Sequence, residues 1–196
     1  MGVVYEAEDL KLRRHIALKF LPQETANDPT TLRRFEREAQ AASALNHPNI
    51  CTVYGLEEHQ GRPVIAMELL DGQSLKERLR SGPLPTDELV TFGIQTLDAL
   101  AAAHAKGIIH RDIKPGNLFI VAGERVKILD FGLAKALLLF GWAERVDEES
   151  LTGEGVIPGT TAYMSPEQLQ EEEIDGRSDL FSLGVRCESA RAWRVS

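Results

Sequence analysis

The chain has 196 residues, of which 43% are hydrophobic and 27% charged, as is ordinary for a globular protein with a buried core. Its 30 acidic residues outnumber its 22 basic ones and give a net charge of −8, which argues against a nucleic-acid-binding surface as its main role. The apolar runs are too short to cross a bilayer, no signal-peptide pattern opens the chain, and Cys51 and Cys187 lack metal-site spacing, so we expect a cytoplasmic protein without a membrane segment.

The first third of the chain is predicted to form strands and one helix. Short β-prone runs at 3–8 and 15–20 are separated by a polar turn, and a second such pair follows at 51–56 and 63–69. Between the pairs, Asn27-Asp28-Pro29 provides an N-cap candidate followed by a proline at the first helical position. The helix should run to Asn46, with one apolar face made of Leu32, Phe35, Ala39, Ala42 and Leu45.

Helices dominate after residue 71. Ser74 and Glu77 have capping-box spacing and open a short helix. A longer helix is predicted from Thr86 to residue 106, and two short strands follow at 118–121 and 126–129. The long helix should carry an apolar stripe of Leu89, Ile94, Leu97, Leu100 and His104. The pattern predicts an α+β protein with a β-rich lobe over residues 1–69, a helical lobe over 70–185 and a divergent tail at 186–196.

Residues 110–117 read HRDIKPGN and concentrate polar groups in a short stretch. A carboxylate, an ammonium and an amide occur there at Asp112, Lys114 and Asn117. Asp is a poor helix former and Pro115 prevents an uninterrupted helix, so this stretch is predicted to be a loop.

Six short motifs occur in a fixed order along the chain. They are Gly2-x-Val4, Ala17-Leu18-Lys19, Glu38, His110-Arg111-Asp112 with Asn117, Asp130-Phe131-Gly132 and Ser165-Pro166-Glu167. This ordered set resembles the eukaryotic-like Ser/Thr protein kinase family, and the sequence around the motifs is most similar to the bacterial members of that family. The resemblance implies a two-lobed kinase-like fold, a single partial kinase domain over residues 1–196, and transfer of the ATP γ-phosphate to Ser or Thr hydroxyls of a protein substrate.

The residue types also suit that chemistry on their own. Phosphoryl transfer needs an aligned acceptor hydroxyl and cations on the transferring oxygens. Asp112 would accept the hydroxyl proton, or at least orient the hydroxyl, while Asp130 and Asn117 offer hard oxygen ligands for Mg²⁺. Lys114 can reach the γ-phosphate, and by resemblance it points to Ser/Thr acceptors.

Lys19 would hold the α- and β-phosphates from a strand, with an acid on the following helix as its partner. Glu36 and Glu38 are the candidates, and because they are two residues apart they lie on different helix faces. The Arg-Glu-Ala context favours Glu38.

The resemblance also assigns an adenine pocket. Val4 and Ala17 would form its roof beside Gly2, with Phe119 as the floor and Met67 as the gatekeeper. Glu68 to Leu70 would be the hinge, with Asp71 near the ribose. Two further residues would be structural: His110 would pack under Phe131, and Asp179 would tie down the backbone of the 110–117 loop.

Regulation is expected in the segment between Asp130 and Glu167. Arg111 places a cation beside Asp112, where a phosphate on this segment could dock. Thr152, and then Ser150, are the predicted autophosphorylation sites, whereas Thr160 is expected to contact Asp112 and Lys114.

Three features depart from the family pattern. Only the last glycine of the glycine-rich loop precedes Val4, so we expect weaker ATP binding than in a complete domain. The residues after Val185 lack amphipathic order, and no arginine partner for Glu167 can be assigned there. The stretch at 136–150 carries apolar residues where the family is usually polar. The alternative function is therefore a catalytically dead, truncated kinase fragment that acts at most as a nucleotide-binding or interaction module.

Overall fold

A computed structural model describes residues 3–20, 29–131, 165–170 and 174–192 of the protein. The first part contains a four-stranded antiparallel sheet in the order β1-β2-β4-β3. Its strands are β1 (Val4–Asp9), β2 (Arg14–Phe20), β3 (Val53–His59) and β4 (Arg62–Glu68), and all four lie within two residues of their predicted starts. The register places Ala17 opposite Met67, which brings two residues of the predicted adenine pocket together.

Helix α1 (Pro29–Ser43) lies against this sheet through the predicted apolar face. Phe35 and Ala39 pack with Ile65 of β4, and each of the three is nearly inaccessible to solvent. The helix ends at Ser43 rather than at Asn46, because the next turn tightens into bonds from the Ala44 and Leu45 amides to carbonyls three residues earlier.

The second part is built from helices and a small sheet. Strands β5 (Gly72–Ser74), β6 (Leu118–Val121) and β7 (Arg125–Ile128) form an antiparallel sheet in that order. The helices are α2 (Leu75–Arg80), α3 (Thr86–His104), α4 (Pro166–Leu169) and α5 (Gly176–Ala192), and a 3₁₀ turn occupies Pro115–Asn117. The backbone of 186–192 therefore continues a helix, although its residues lack amphipathic order.

The capping box that opens α2 is confirmed. The Glu77 carboxylate accepts from the Ser74 amide at 2.8 Å, and the Ser74 hydroxyl accepts from the Glu77 amide at 3.2 Å. Strand β5, which directly precedes it, was not predicted. A Cβ at Gly72 would lie 2.0 Å from the Ile120 carbonyl oxygen, so this close strand approach requires glycine.

The predicted stripe on α3 was partly wrong. Leu100 is buried as expected, but Ile94 and Leu97 are 62% and 45% exposed. The buried face instead contains Phe92 and Thr96, together with Ala99, Leu100 and Ala103. Each residue advances about 100° around a helix, so Ile94 lies roughly opposite Phe92 and Thr96.

The loop between α1 and β3 joins the two parts. The Cys51 amide donates to the Ile128 carbonyl at 2.9 Å, and the Ile128 amide donates to the Asn49 carbonyl at 2.8 Å. The Asn49 side chain adds a bond to the Val126 carbonyl at 2.8 Å. Strand β7 is thereby tied to the end of the first part, just ahead of Asp130. The lobe boundary at residue 69 stays a prediction.

Within the described ranges, no helix has the length and apolarity needed to cross a membrane.

Candidate active site

The 110–117 stretch is a loop, as predicted, and it holds its polar groups in mutual contact. The Lys114 ammonium lies 2.7 Å from Oδ2 of Asp112. The Asn117 amide nitrogen donates to the same carboxylate oxygen at 2.9 Å and to the Asp112 carbonyl at 2.8 Å. The Asp112 side chain is only 17% exposed. The contacts with Lys114 and Asn117 therefore fix the orientation of a mostly buried carboxylate.

A buried carboxylate on α5 holds the start of this loop. Asp179 accepts from the His110 amide at 2.8 Å and from the Arg111 amide at 2.7 Å. It also contacts Nε2 of His104 at 2.8 Å. The predicted tie between Asp179 and the loop backbone is confirmed.

His110 has the structural role that was expected. Its ring is fully buried and packs edge-on to Phe131, with 4.8 Å between the ring centroids. Its Nε2 atom lies 2.7 Å from the Leu129 carbonyl oxygen. The ring therefore joins the catalytic-loop candidate to the segment that carries Asp130.

Lys19 and Asp130 form the second charged pair of the site. Their charged atoms are 2.6 Å apart, and both side chains are about one quarter exposed. Asp130 has a φ of +61°, a left-handed backbone that non-glycine residues rarely adopt. Such strain is concentrated at functional sites. Glu38 lies on α1, but its side chain is outside the described set, so its pairing with Lys19 stays a prediction.

The predicted adenine residues lie on both sheets. Ala17 is buried on β2 opposite Met67, whereas Val4 on β1 is half exposed and pairs with Lys19. Phe119 lies on β6, between Ser74 of β5 and Lys127 of β7. Leu70 is partly buried and Asp71 is exposed. Gly2 lies outside the described residues.

A small apolar pocket adjoins Met67 and the Asp130-Phe131 pair. Its other lining residues come from α1, from the loop before β3 and from the sheet: Ala42, Ile50, Cys51, Val53 and Ile65. Burial raises the pKa of the Cys51 thiol to about 12, and the nearby Glu68 carboxylate adds to this shift. The raised pKa favours the protonated thiol at neutral pH, so we expect Cys51 to be unreactive in the folded protein.

Lys127 is a buried charge that the sequence patterns did not single out. Its ammonium contacts the Glu68 carboxylate at 2.8 Å and the Ile50 carbonyl at 3.3 Å. The Glu68 carboxylate also accepts from the Thr52 amide at 3.2 Å. The acid of the predicted hinge is thus engaged with β7. Side chains alternate between the two faces of a strand, so Lys127 could be predicted to point inward. This alternation does not show that Glu68 would be its partner.

The partner of the Glu167 carboxylate among the described residues is a hydroxyl group. The Ser178 hydroxyl of α5 donates to its carboxylate at 2.5 Å. This bond is the main reason that the pKa of Glu167 lies below its usual range. The sequence patterns did not find this partner because the hydroxyl lies eleven residues further along the chain, beyond any local pattern.

Arg111 is partly buried, and its Nε atom is without a hydrogen-bond partner among the described residues. The predicted regulatory hydroxyls of Ser150 and Thr152 lie outside the described residues, as does Thr160.

The donor atoms at the loop fit a hard divalent cation. The Asn117 amide uses its nitrogen on Asp112, so its remaining polar atom is a neutral oxygen. Asp130 provides an anionic oxygen beside Lys19. Carboxylate and amide oxygens are suitable ligands for Mg²⁺, which also keeps several waters. No group of three or more potential His, Cys, Asp or Glu ligands occurs in the described parts of the chain.

Comparison with known proteins places these motifs in a family. A sequence profile of the protein kinase domain matches residues 1–190. The chain is 40% identical over 189 residues to the serine/threonine-protein kinase PknB of Mycobacterium leprae, and 40% identical over 185 residues to PknL of Mycobacterium tuberculosis. Each match covers 94% of this chain, but only 29% and 44% of the respective relatives.

The fold is also similar to solved kinase domains. The crystal structure of the Mycobacterium tuberculosis PknI kinase domain matches with a TM-score of 0.76 and 29% identity. The match covers 98% of this chain and 68% of that domain. The chain therefore belongs to the protein kinase domain family, as a partial bacterial-type Ser/Thr kinase domain with an incomplete two-lobed α+β fold.

Proposed function

We propose that the protein transfers the γ-phosphate of ATP to Ser or Thr hydroxyls of a protein substrate. The observation that carries this proposal is the Asp112 carboxylate, which is oriented by Lys114 and Asn117 in a loop anchored on Asp179. A group that addresses an acceptor hydroxyl must be held in this manner, because misplacement by about 1 Å can cost 10²-fold in rate.

The nucleotide would lie between the two sheets. Kinase domains use ATP with a divalent metal ion, and we assign Mg²⁺ to Asn117 and Asp130. Bound there, the metal would neutralise charge on the phosphate oxygens. Lys19 would contact the α- and β-phosphates, and the adenine would lie against Val4, Ala17, Met67 and Phe119, with the 68–70 hinge and Asp71 at its edge.

The chain's own residues would carry out the transfer as follows. Both side-chain contacts of Asp112 described above go to Oδ2, which leaves Oδ1 for the acceptor hydroxyl. The hydroxyl oxygen would form a bond to the γ-phosphorus while the bond to the bridging oxygen of ADP breaks, and the hydroxyl proton would pass to Asp112. Lys114, beside that carboxylate, would stabilise charge on the γ-phosphate oxygens.

A comparison of two Asp→Asn variants tests the role of Asp112. Asp112→Asn should lower phosphotransfer from Mg-ATP to a generic protein substrate by about 10²–10⁴-fold, the usual contribution of a general base. Its affinity for Mg-ATP, measured by calorimetry, should be nearly unchanged, because Asp112 addresses the hydroxyl. Asp87→Asn is the matched control, since Asp87 is exposed in the first turn of α3.

The same experiment separates the two functions. Equal loss of ATP binding and turnover in Asp112→Asn would mean that its role is misassigned. ATP binding by the native chain without any transfer would instead support the alternative, a catalytically dead nucleotide-binding module.

Nucleotide binding has its own test. Lys19→Ala should weaken Mg-ATP binding in calorimetry, whereas Lys11→Ala, on the exposed turn between β1 and β2, should not. Binding to the native chain that is unaffected by Lys19→Ala would contradict the assignment.

Regulation by autophosphorylation is proposed at Thr152 and then Ser150, with Arg111 as the cation that docks the phosphate. Arg111 directly precedes Asp112 in the chain, and its buried Nε atom has no hydrogen-bond partner among the described residues, which supports this role. Mass spectrometry of the protein after incubation with Mg-ATP should find phosphate at these hydroxyls. Phosphate only outside 145–161, or full activity of a Ser150→Ala/Thr152→Ala variant, would contradict it.

A further inference from the structure

We propose that Gln168 is a positioning residue for Asp112, an inference that rests on the proposed kinase activity. The Gln168 side-chain amide on α4 donates from Nε2 to the Arg111 carbonyl oxygen at 2.8 Å. That carbonyl belongs to the peptide that joins Arg111 to Asp112. Gln168 thus contacts the backbone immediately before the candidate catalytic carboxylate, from an element 57 residues away.

Both polar groups of this peptide are held by side chains. Its carbonyl accepts from Gln168, and its N–H, which belongs to Asp112, donates to Nδ1 of His110 at 3.2 Å. A peptide held on both edges cannot rotate about its flanking bonds without breaking a hydrogen bond. Because the Asp112 side chain starts at the next Cα atom, the orientation of this plane sets the direction in which the carboxylate points.

The backbone at this position needs such support. Arg111 has a φ of +67°, in the left-handed region that is unfavourable for a residue with a side chain. Asp179 holds the Arg111 N–H at 2.7 Å, so Asp179 and Gln168 hold the two ends of the same strained residue. A residue with a strained backbone is stable only where several independent contacts hold it in that conformation.

The chemistry of Gln168 suits this role specifically. Its Oε1 atom accepts from the Ser165 amide at 2.9 Å, so its NH₂ group is the part directed at Arg111. The amide is a donor at one atom and an acceptor at the other, and it needs both properties here. Glutamate has the same shape, but it would place an anionic oxygen against the Arg111 carbonyl.

The test compares the same substitution at two neighbouring glutamines. Gln168→Glu should lower kcat by about 10–100-fold with the KM for ATP unchanged, as expected for a misdirected catalytic group. Gln170→Glu, two residues along in an exposed position, adds the same charge and should leave kcat unchanged. Gln168→Met, which keeps the bulk without charge, should also lower kcat, and melting curves would show that the variants fold.

The pH profile distinguishes positioning from a general loss of structure. The carboxyl group that Gln168→Glu introduces can donate to the Arg111 carbonyl once it is protonated. The kcat of this variant relative to the native chain should therefore recover as the pH falls towards the pKa of the introduced carboxyl group. The Gln168→Met variant has no such group and should show no recovery. A kcat equal to that of the native chain, or a loss confined to KM, would overturn the proposal.

Hydrogen exchange decides the inference independently of activity. Gln168→Glu and Gln168→Met should both speed exchange of the amides in 110–113, whereas Gln170→Glu should not. If the native chain transfers no phosphate, the proposed function fails, and this exchange pattern still decides whether Gln168 holds the loop. Unchanged exchange in both Gln168 variants would overturn it.

Discussion

Replacing Asp179 with Asn tests how far the active-site loop depends on one buried carboxylate. The Asp179 side chain is inaccessible to solvent and meets three nitrogen atoms within 2.8 Å, those of the His110 and Arg111 amides and Nε2 of His104. An Asn side chain is nearly the same size, but only one of its two end atoms can accept a hydrogen bond. At least one of the two backbone donors would then face an NH₂ group, at a position that is inaccessible to solvent.

The expected cost follows from these contacts. A hydrogen bond to a charged group contributes about 1.5–3 kcal/mol, and an unsatisfied buried donor costs about 1–3 kcal/mol. Together they predict a loss of about 2.5–6 kcal/mol, a large part of the roughly 5–15 kcal/mol that stabilises a domain. With a urea m-value of about 2 kcal/mol per M, the unfolding midpoint should fall by about 1.3–3 M.

The assay is urea unfolding at pH 7, followed by far-UV circular dichroism. Asp175→Asn is the matched control just before the same helix, because Asp175 is exposed and its Oδ1 atom accepts from the Arg177 amide at 2.8 Å, a capping role that Asn also performs. Its midpoint should hardly change. If Asp179→Asn lowers the midpoint no more than Asp175→Asn does, the reasoning from buried donors is refuted.

Three further predictions concern stability and reactivity. In a Cys187→Ser background, Cys51 should react with iodoacetamide at pH 8 only after unfolding, because burial raises its pKa to about 12, and labelling of the native protein would contradict this. Phe35→Ala should lower the free energy of unfolding by about 3–5 kcal/mol in urea titrations, since the ring fills the space between α1 and β4, and a loss below about 1 kcal/mol would contradict that packing. Ser74→Ala should cost about 1 kcal/mol through loss of the α2 cap. Hydrogen bonds from the Ser74 hydroxyl and amide lower the pKa of Glu77 below 4.5, so the contribution of its carboxylate to the cap is present above pH 4.5 and is lost as the pH falls through the pKa of Glu77 in the folded protein. The difference in Tm between Ser74→Ala and the native chain should therefore shrink in acid. A difference that stays constant with pH would count against the capping box.

Local patterns predicted the parts of the fold that depend on near neighbours along the chain. The buried face of α1 follows from residues such as Phe35 and Ala39, four apart, because the helix repeat places them on one side. The Ser74–Glu77 cap and the proline-containing 110–117 loop were also predictable, since a cap bond and a missing N–H act within one turn. The residues of the candidate site were predicted differently, from motifs whose order along the whole chain resembles that of the family.

Only the tertiary structure decided how these residues are held. The Gln168 contact with Arg111 spans 57 residues, and the Lys127 contact with Glu68 spans 59. The face of α3 that is buried likewise depended on what packs against it, since Ile94 and Phe92 are both large apolar residues and only Phe92 is buried. Such pairings are absent from the periodicity of a sequence because they form only when distant segments exclude water together, and an isolated buried charge or donor is stable only where its partner arrives with the fold.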